Sequence, residues 1–216
     1  MREIRKLAEP RSLTHHRNAA GCDFENLPKD VKSTLRESLV HEQRGICCYC
    51  LCRIGPGEAG IVPRMKIAHW HNRDLHPDEQ LAYQSLLGAC MGNQGRSPSE
   101  QHCDTRQGNK DIKWNPANPE HRIEARIRYL ANGTIESNDE EFDQQINDVL
   151  NLNASFIRTN RKNVLDGFQR AIGRGPISRF RFERMLQDWN GESHAGSLEP
   201  YCQIVVFWLR KRLARI

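Results

Sequence analysis

Four cysteines fall within six positions, at Cys47, Cys48, Cys50 and Cys52, and two more follow at Cys90 and Cys103. No other feature constrains the fold as tightly, because thiols this dense in sequence cross-link, ligate a metal or, less often, pack as small apolar residues. Disulfide scaffolds are usually short and secreted, so metal ligation is the better reading for a chain of 216 residues. Zinc takes four nitrogen or sulfur ligands in a tetrahedron, and a C-x-x-C turn supplies two of them. Cys47 and Cys50 have that spacing. Cys90 and Cys103, with 12 residues looped out between them, are the candidates for the second pair, and loop closure grows costly only slowly with length. Cys48 and Cys52 compete from close by, and His102 adjoins Cys103, which leaves the fourth ligand open between Cys103 and His102. Cys22 and Cys202 stand alone and read as core residues.

A hydrophobic content of 38% is adequate for one good-sized domain or two small ones. No apolar run approaches the roughly 20 residues that span a bilayer, and the N-terminus lacks a secretory leader, so a cytoplasmic location is expected. The net charge of +5 permits a polyanionic partner without requiring one.

The expected class is α+β, mainly helical, in three parts. Residues 1–27 are basic (Arg2, Arg5, Lys6, Arg11, Arg17) and lack a period, which suggests an arm or a solvated tail. Residues 28–120 hold the cysteines. Val31, Leu35 and Leu39 predict a helix from Pro28 to about Arg44, with Gly45 as its stop; a knuckle over Ile46–Ile54 and a strand over Arg64–His71 follow. Leu81, Leu86 and Leu87 suggest a helix over Gln80–Ala89, and Gly92–Gln101 reads as a loop.

Residues 121–216 carry an expected hairpin over Arg122–Ser137 with a two-residue Asn132-Gly133 turn, then a helix capped by Ser137-x-x-Glu140. Three more helices are expected over Ala154–Ile172, Ser178–Trp189 and Glu199–Arg215. Arg210, Lys211, Arg212 and Arg215 complement the dipole of the last one.

His69 lies in an apolar strand between the two cysteine pairs. Taken together, Glu42-Gln43-Arg44-Gly45-Ile46-Cys47-Cys48-Tyr49-Cys50, Ile67-Ala68-His69-Trp70, Ser85-Leu86-Leu87-Gly88-Ala89-Cys90 and His102-Cys103-Asp104-Thr105-Arg106-Gln107-Gly108 form a pattern. The pattern resembles the HNH endonucleases, and within them the PtuB-like component of Septu and retron anti-phage systems.

That resemblance implies a zinc-stapled ββα-metal core flanked by an N-terminal helix and a C-terminal helical region. It implies a metal-dependent DNA endonuclease of bacterial cytoplasm, with His69 as general base and structural zinc on Cys47, Cys50, Cys90 and Cys103. Asp104 would hold a catalytic Mg²⁺ or another divalent cation, and Arg106 and Lys110 would contact phosphate or face solvent. Partners would be a PtuA-like ATPase, docked on the helices after Glu140, the DNA substrate and a retron RNA–DNA; no membrane is implied. Ser85 stands where the family has an asparagine. Ala68 stands where it has a metal-binding Asp or Glu, so either another ligand such as His71 or Asp74 serves, or the chain is a catalytically inactive zinc module, by nature or by substitution. His71, two residues from His69, would share its strand face.

Overall fold

Val31, Leu35 and Leu39 recur every four residues and all three are buried, which fixes the inner face of helix α2, Lys29–Glu42. The computed structural model to which this helix belongs describes residues 1–57, 64–173 and 175–216. Beyond α2 the chain reverses through Arg44 and Gly45, with φ of 54° and 77°, a left-handed exit that glycine adopts without strain. The knuckle follows. The Cys47 N–H donates to the Cys52 carbonyl at 2.9 Å and the Leu51 N–H to the Cys47 carbonyl at 3.2 Å, with Ile46 bridged to Arg53.

Strand β1, Lys66–His69, pairs antiparallel with β2, Leu86–Ala89, in a register that sets Ala68 against Leu87 and His69 against Leu86. The helix expected over Gln80–Ala89 is therefore not formed. Pro77–Glu79 and Tyr83–Ser85 are single 3₁₀ turns joined by a turn over residues 80–82, and Leu86–Ala89 is strand. Every residue of β2 is buried, and an apolar run that short carries no period to separate helix from strand. A short helix α3, Cys103–Gln107, packs on β1.

After a single helical turn, α4 (Ile123–Arg126), the hairpin comprises β3, Ile127–Tyr129, and β4, Ile135–Ser137. Alternation thus begins at Ile127 and not at Ile123. The Leu130 N–H reaches the Thr134 carbonyl at 2.9 Å around Ala131, Asn132 and Gly133, a longer loop than the expected two-residue turn. Gly133, at φ 85°, is required: a Cβ there would lie 2.0 Å from the Arg158 carbonyl oxygen.

Helix α5, Glu140–Gln144, runs into a π-helical turn, Gln145–Val149. Its cap is Asp139, whose carboxylate accepts from the Phe142 N–H at 3.2 Å, and not Ser137, whose hydroxyl accepts from the Asp139 N–H instead. With Glu140 in the first helical position, the reciprocal Ser-to-Glu pair of a capping box cannot form. Helices α6 (Ser155–Ile172), α7 (Arg179–Asn190) and α8 (Gln203–Leu213) follow. The last begins four residues later than expected, because Tyr201 takes φ 59° and interrupts the helix.

The N-terminal segment is not an arm. It carries α1, Arg11–Arg17, buries Met1, Ile4, Leu13 and Leu27, and joins the Ile4 N–H to the Pro116 carbonyl at 2.8 Å. Lys6 explains part of the docking. Its ammonium lies 2.5 Å from Glu42 Oε1 and 2.7 Å from the Leu86 carbonyl, with side chains only 4% and 0% exposed, and Tyr83 Oη donates to the second Glu42 oxygen at 2.7 Å. Burial pulls Lys6 below the ordinary lysine value while Glu42 opposes the shift. Glu42→Gln would leave this buried ammonium unpaired, and it is expected to cost about 3–5 kcal/mol in urea unfolding. A loss below about 1 kcal/mol would show that the pair contributes little.

Residues 121–216 are also woven into the knuckle. Arg44 donates to the carbonyls of Gly191 (2.6 Å), His194 (2.6 Å) and Gly196 (2.9 Å), and the Tyr201 N–H donates to the Leu51 carbonyl (2.9 Å). One continuous apolar core takes in Met1, Leu35, Ala68, Phe142, Leu165 and Leu209. Removing Ser137–Ile216 would therefore strip the core and not merely a docking surface. Among the described residues, no helix is long and apolar enough to cross a membrane.

Candidate functional site

The knuckle, the end of β2 and the start of α3 bring Cys47, Cys50, Cys90 and Cys103 together, all buried, with their sulfurs within 4.8 Å of one another. Cys47 Sγ is 3.9 Å from Cys103 Sγ, and Cys50 Sγ is 3.7 Å from Cys90 Sγ. A tetrahedron of thiolates about 2.3 Å from zinc has edges of about 3.8 Å. The separations are far longer than the ~2.05 Å of a disulfide, and all eight cysteines are free. The group could thus hold a metal ion such as zinc.

Hydrogen bonding from Cys103 draws the Cys50 thiol down to about 6, while burial pushes Cys103 up. Four thiolates cannot share this space without a cation. The Cys90 N–H already donates to Cys47 Sγ at 3.3 Å. Cys48 and Cys52 lie outside the quartet. His102 adjoins it, with Nδ1 3.1 Å from Cys103 Sγ, so Cys103 completes the group and His102 borders it. Gly92 permits this approach, because a Cβ there would stand 2.1 Å from the His102 carbonyl. Cys202 is buried in the core as expected, and Cys22 is half-buried.

A separate cavity of about 280 Å³ opens beside β1, lined by His69, Asp104, Lys66, Arg73, Asp74 and Asn72 among others. His69 Nε2 is 3.0 Å from the Gln80 carbonyl oxygen. Because a carbonyl can only accept, Nε2 carries the hydrogen and Nδ1 the lone pair. Burial lowers His69 to about 4, and the edge of Phe24 packs 4.5 Å from its ring. The ring is therefore uncharged at neutral pH. Asp104, raised chiefly by burial, faces Lys66 at 3.8 Å.

Ala68 is fully buried and does not line this cavity. Asp74, which accepts from Asn109 Nδ2 at 2.7 Å, is the second carboxylate on its wall. His71 touches the cavity, but the strand ends at His69, so the expected shared face is lost: His71 Nδ1 instead lies 2.9 Å from Glu79 Oε2. Ser85 is buried and donates to the same oxygen at 3.2 Å. Arg106 is engaged with the carbonyls of Pro98 and Asp148, and Lys110 is exposed.

Sequence reasoning missed Gln107. Buried on α3, it accepts from Tyr49 Oη at 2.8 Å and donates to the carbonyls of His69 (3.2 Å) and Lys110 (3.0 Å). One side chain thereby ties the cysteine knuckle to the strand that carries His69. A polar residue in a short motif gives no hint of this; only the convergence of three segments does. Lys66, His76 and Glu79 were missed as well: His71 and His76 lie in the loop before the 3₁₀ turn that carries Glu79, a spacing with no familiar period. No family model matches the chain, and no curated protein matches it.

Proposed function

We propose that the chain is a metal-dependent DNA endonuclease of the HNH type, with a structural Zn²⁺ on Cys47, Cys50, Cys90 and Cys103. The observation that carries the reading is His69: a neutral imidazole, its Nε2–H fixed by the Gln80 carbonyl, in one cavity with Asp104 and two cationic side chains. The strand, strand and short helix around it (β1, β2 and α3) follow the order the resemblance implies.

In this reading His69 Nδ1 takes a proton from water as that water attacks phosphorus and the opposite P–O ester bond breaks, the leaving oxygen taking its proton from solvent. Lys66 and Arg73 hold the phosphate at the cavity mouth. Asp104, with Asp74, would hold a Mg²⁺ ion, which asks for one or two carboxylates and keeps several waters; when bound it supplies charge stabilisation at the phosphate and leaving oxygen. By the same resemblance, a PtuA-like ATPase and a retron RNA–DNA are the partners.

The test is nicking of supercoiled plasmid by the full chain, with and without the ATPase, in Mg²⁺ and in chelator. Metal-dependent nicking that falls about 100-fold in Asp104→Asn is expected. A second reading, a zinc module that binds nucleic acid without cutting it, is favoured by Ala68 and by the ion pair that occupies Asp104. DNA retention at low salt with no cleavage, in both this chain and Ala68→Glu, would favour that module.

A further inference from the structure

Beside the cavity, His71, His76 and Glu79 converge so that one ligand atom from each lies within 4.8 Å of the others. We propose that these three side chains form a second metal site, for a divalent ion of the first transition row.

The donor set is two imidazoles and one carboxylate. That combination suits zinc, manganese, cobalt or nickel and not calcium or magnesium, which prefer oxygen alone. Three protein ligands leave positions open, as in sites that bind water or an exogenous group. His71 Nδ1 and Glu79 Oε2 are 2.9 Å apart, close to the ~3.0 Å edge of an octahedron whose ligands sit about 2.1 Å from a shared ion and shorter than the ~3.4 Å edge of a tetrahedron.

Trp70, His71 and His76 form a stack, with centroids 3.7 Å and 4.2 Å apart and both interplanar angles 23°, so one imidazole turns out of the stack when both ligate a common ion. Asp111 Oδ2 lies 3.1 Å from His76 Nε2, and its other oxygen accepts from the Asn72 N–H at 2.6 Å. This is the carboxylate–histidine arrangement that fixes a tautomer and leaves the opposite nitrogen, Nδ1, with the lone pair. Ser85 Oγ orients Glu79 at 3.2 Å. All three ligands remain accessible, with side chains 23%, 34% and 41% exposed for His71, His76 and Glu79.

The site shares no ligand with the cysteine quartet or with Asp104, so it stands or falls independently of the nuclease reading. The bland alternative is a surface His71–Glu79 ion pair beside a His76–Asp111 hydrogen bond. Equilibrium dialysis of the purified chain against Co²⁺, in excess Mg²⁺ to fill the Asp104–Asp74 site, separates the two. One added equivalent is expected, with weak ligand-field absorption and no thiolate charge-transfer band. The His71→Ala/His76→Ala double variant should lose it while keeping its cysteine-bound metal, which reports that the variant is folded, and Glu79→Gln should weaken it at least about tenfold. In the unaltered chain Mn²⁺ should broaden the His71 and His76 ring resonances selectively. No added equivalent, an equivalent that survives the double variant, or broadening that spares these rings would each overturn the proposal.

Discussion

Cys47→Ser is expected to abolish metal binding and, with it, the cooperative thermal transition. Cys47 receives the Cys90 N–H and stands 3.9 Å from Cys103, so it joins all three segments of the quartet. A structural zinc of this type contributes about 10–16 kcal/mol of apparent binding free energy. Whole-domain stability is only about 5–15 kcal/mol. With zinc in the quartet, as proposed, its loss removes as much as the fold has to lose, and the same follows for Cys50→Ser, Cys90→Ser, Cys103→Ser or a strong chelator. Cys48→Ser lies outside the quartet and should retain the metal. Metal content by elemental analysis and thermal melts by circular dichroism are the measurements. A Cys47→Ser chain that keeps one zinc and melts within about 2 °C of the parent would show that the sulfurs are packing residues only.

His69→Ala should lower plasmid nicking by about 10²–10⁴-fold, the usual contribution of a positioned base. Its zinc content and melting temperature should stay close to those of the parent. The ring contributes one hydrogen bond to Gln80 and an edge contact to Phe24, and neither ties the cysteine quartet together. A variant that cuts at the parental rate would remove His69 from the chemistry. A parent that does not cut under any metal or partner condition would remove the nuclease reading altogether.

The parts of the molecule that the sequence reveals are those with a local rule behind them. Val31, Leu35 and Leu39 share one face of a helix whatever surrounds them, and C-x-x-C brings Cys47 and Cys50 together through one turn. Where two rules compete, the reading fails: Leu86-Leu87-Gly88-Ala89 fits helix or strand, and pairing with β1 decides it. Ser137 and Asp139 are both good caps, and the choice depends on where the chain leaves β4. Features that depend on tertiary convergence leave no trace at all. Gln107 acts through Tyr49 and the His69 carbonyl, and Lys6 is buried only because Glu42, Tyr83 and Leu86 meet around it. The basic N-terminal residues looked solvated for the same reason, since composition describes a segment by itself and not the surface waiting for it.

The bonds from Arg44 to Gly191 and Gly196 join residues 147 and 152 positions apart. This gives the molecule a timetable. At about 5–20 residues per second of synthesis, the knuckle emerges roughly 7–30 s before the segment that closes over it. For the first part of that interval Cys47, Cys48, Cys50 and Cys52 are an open group of thiols, because Cys90 and Cys103 have yet to be made. The nascent chain is then at its most vulnerable to oxidants and to thiol-seeking metals such as copper(I). The fold that protects this quartet so thoroughly in the finished molecule is the last thing the ribosome lets it acquire.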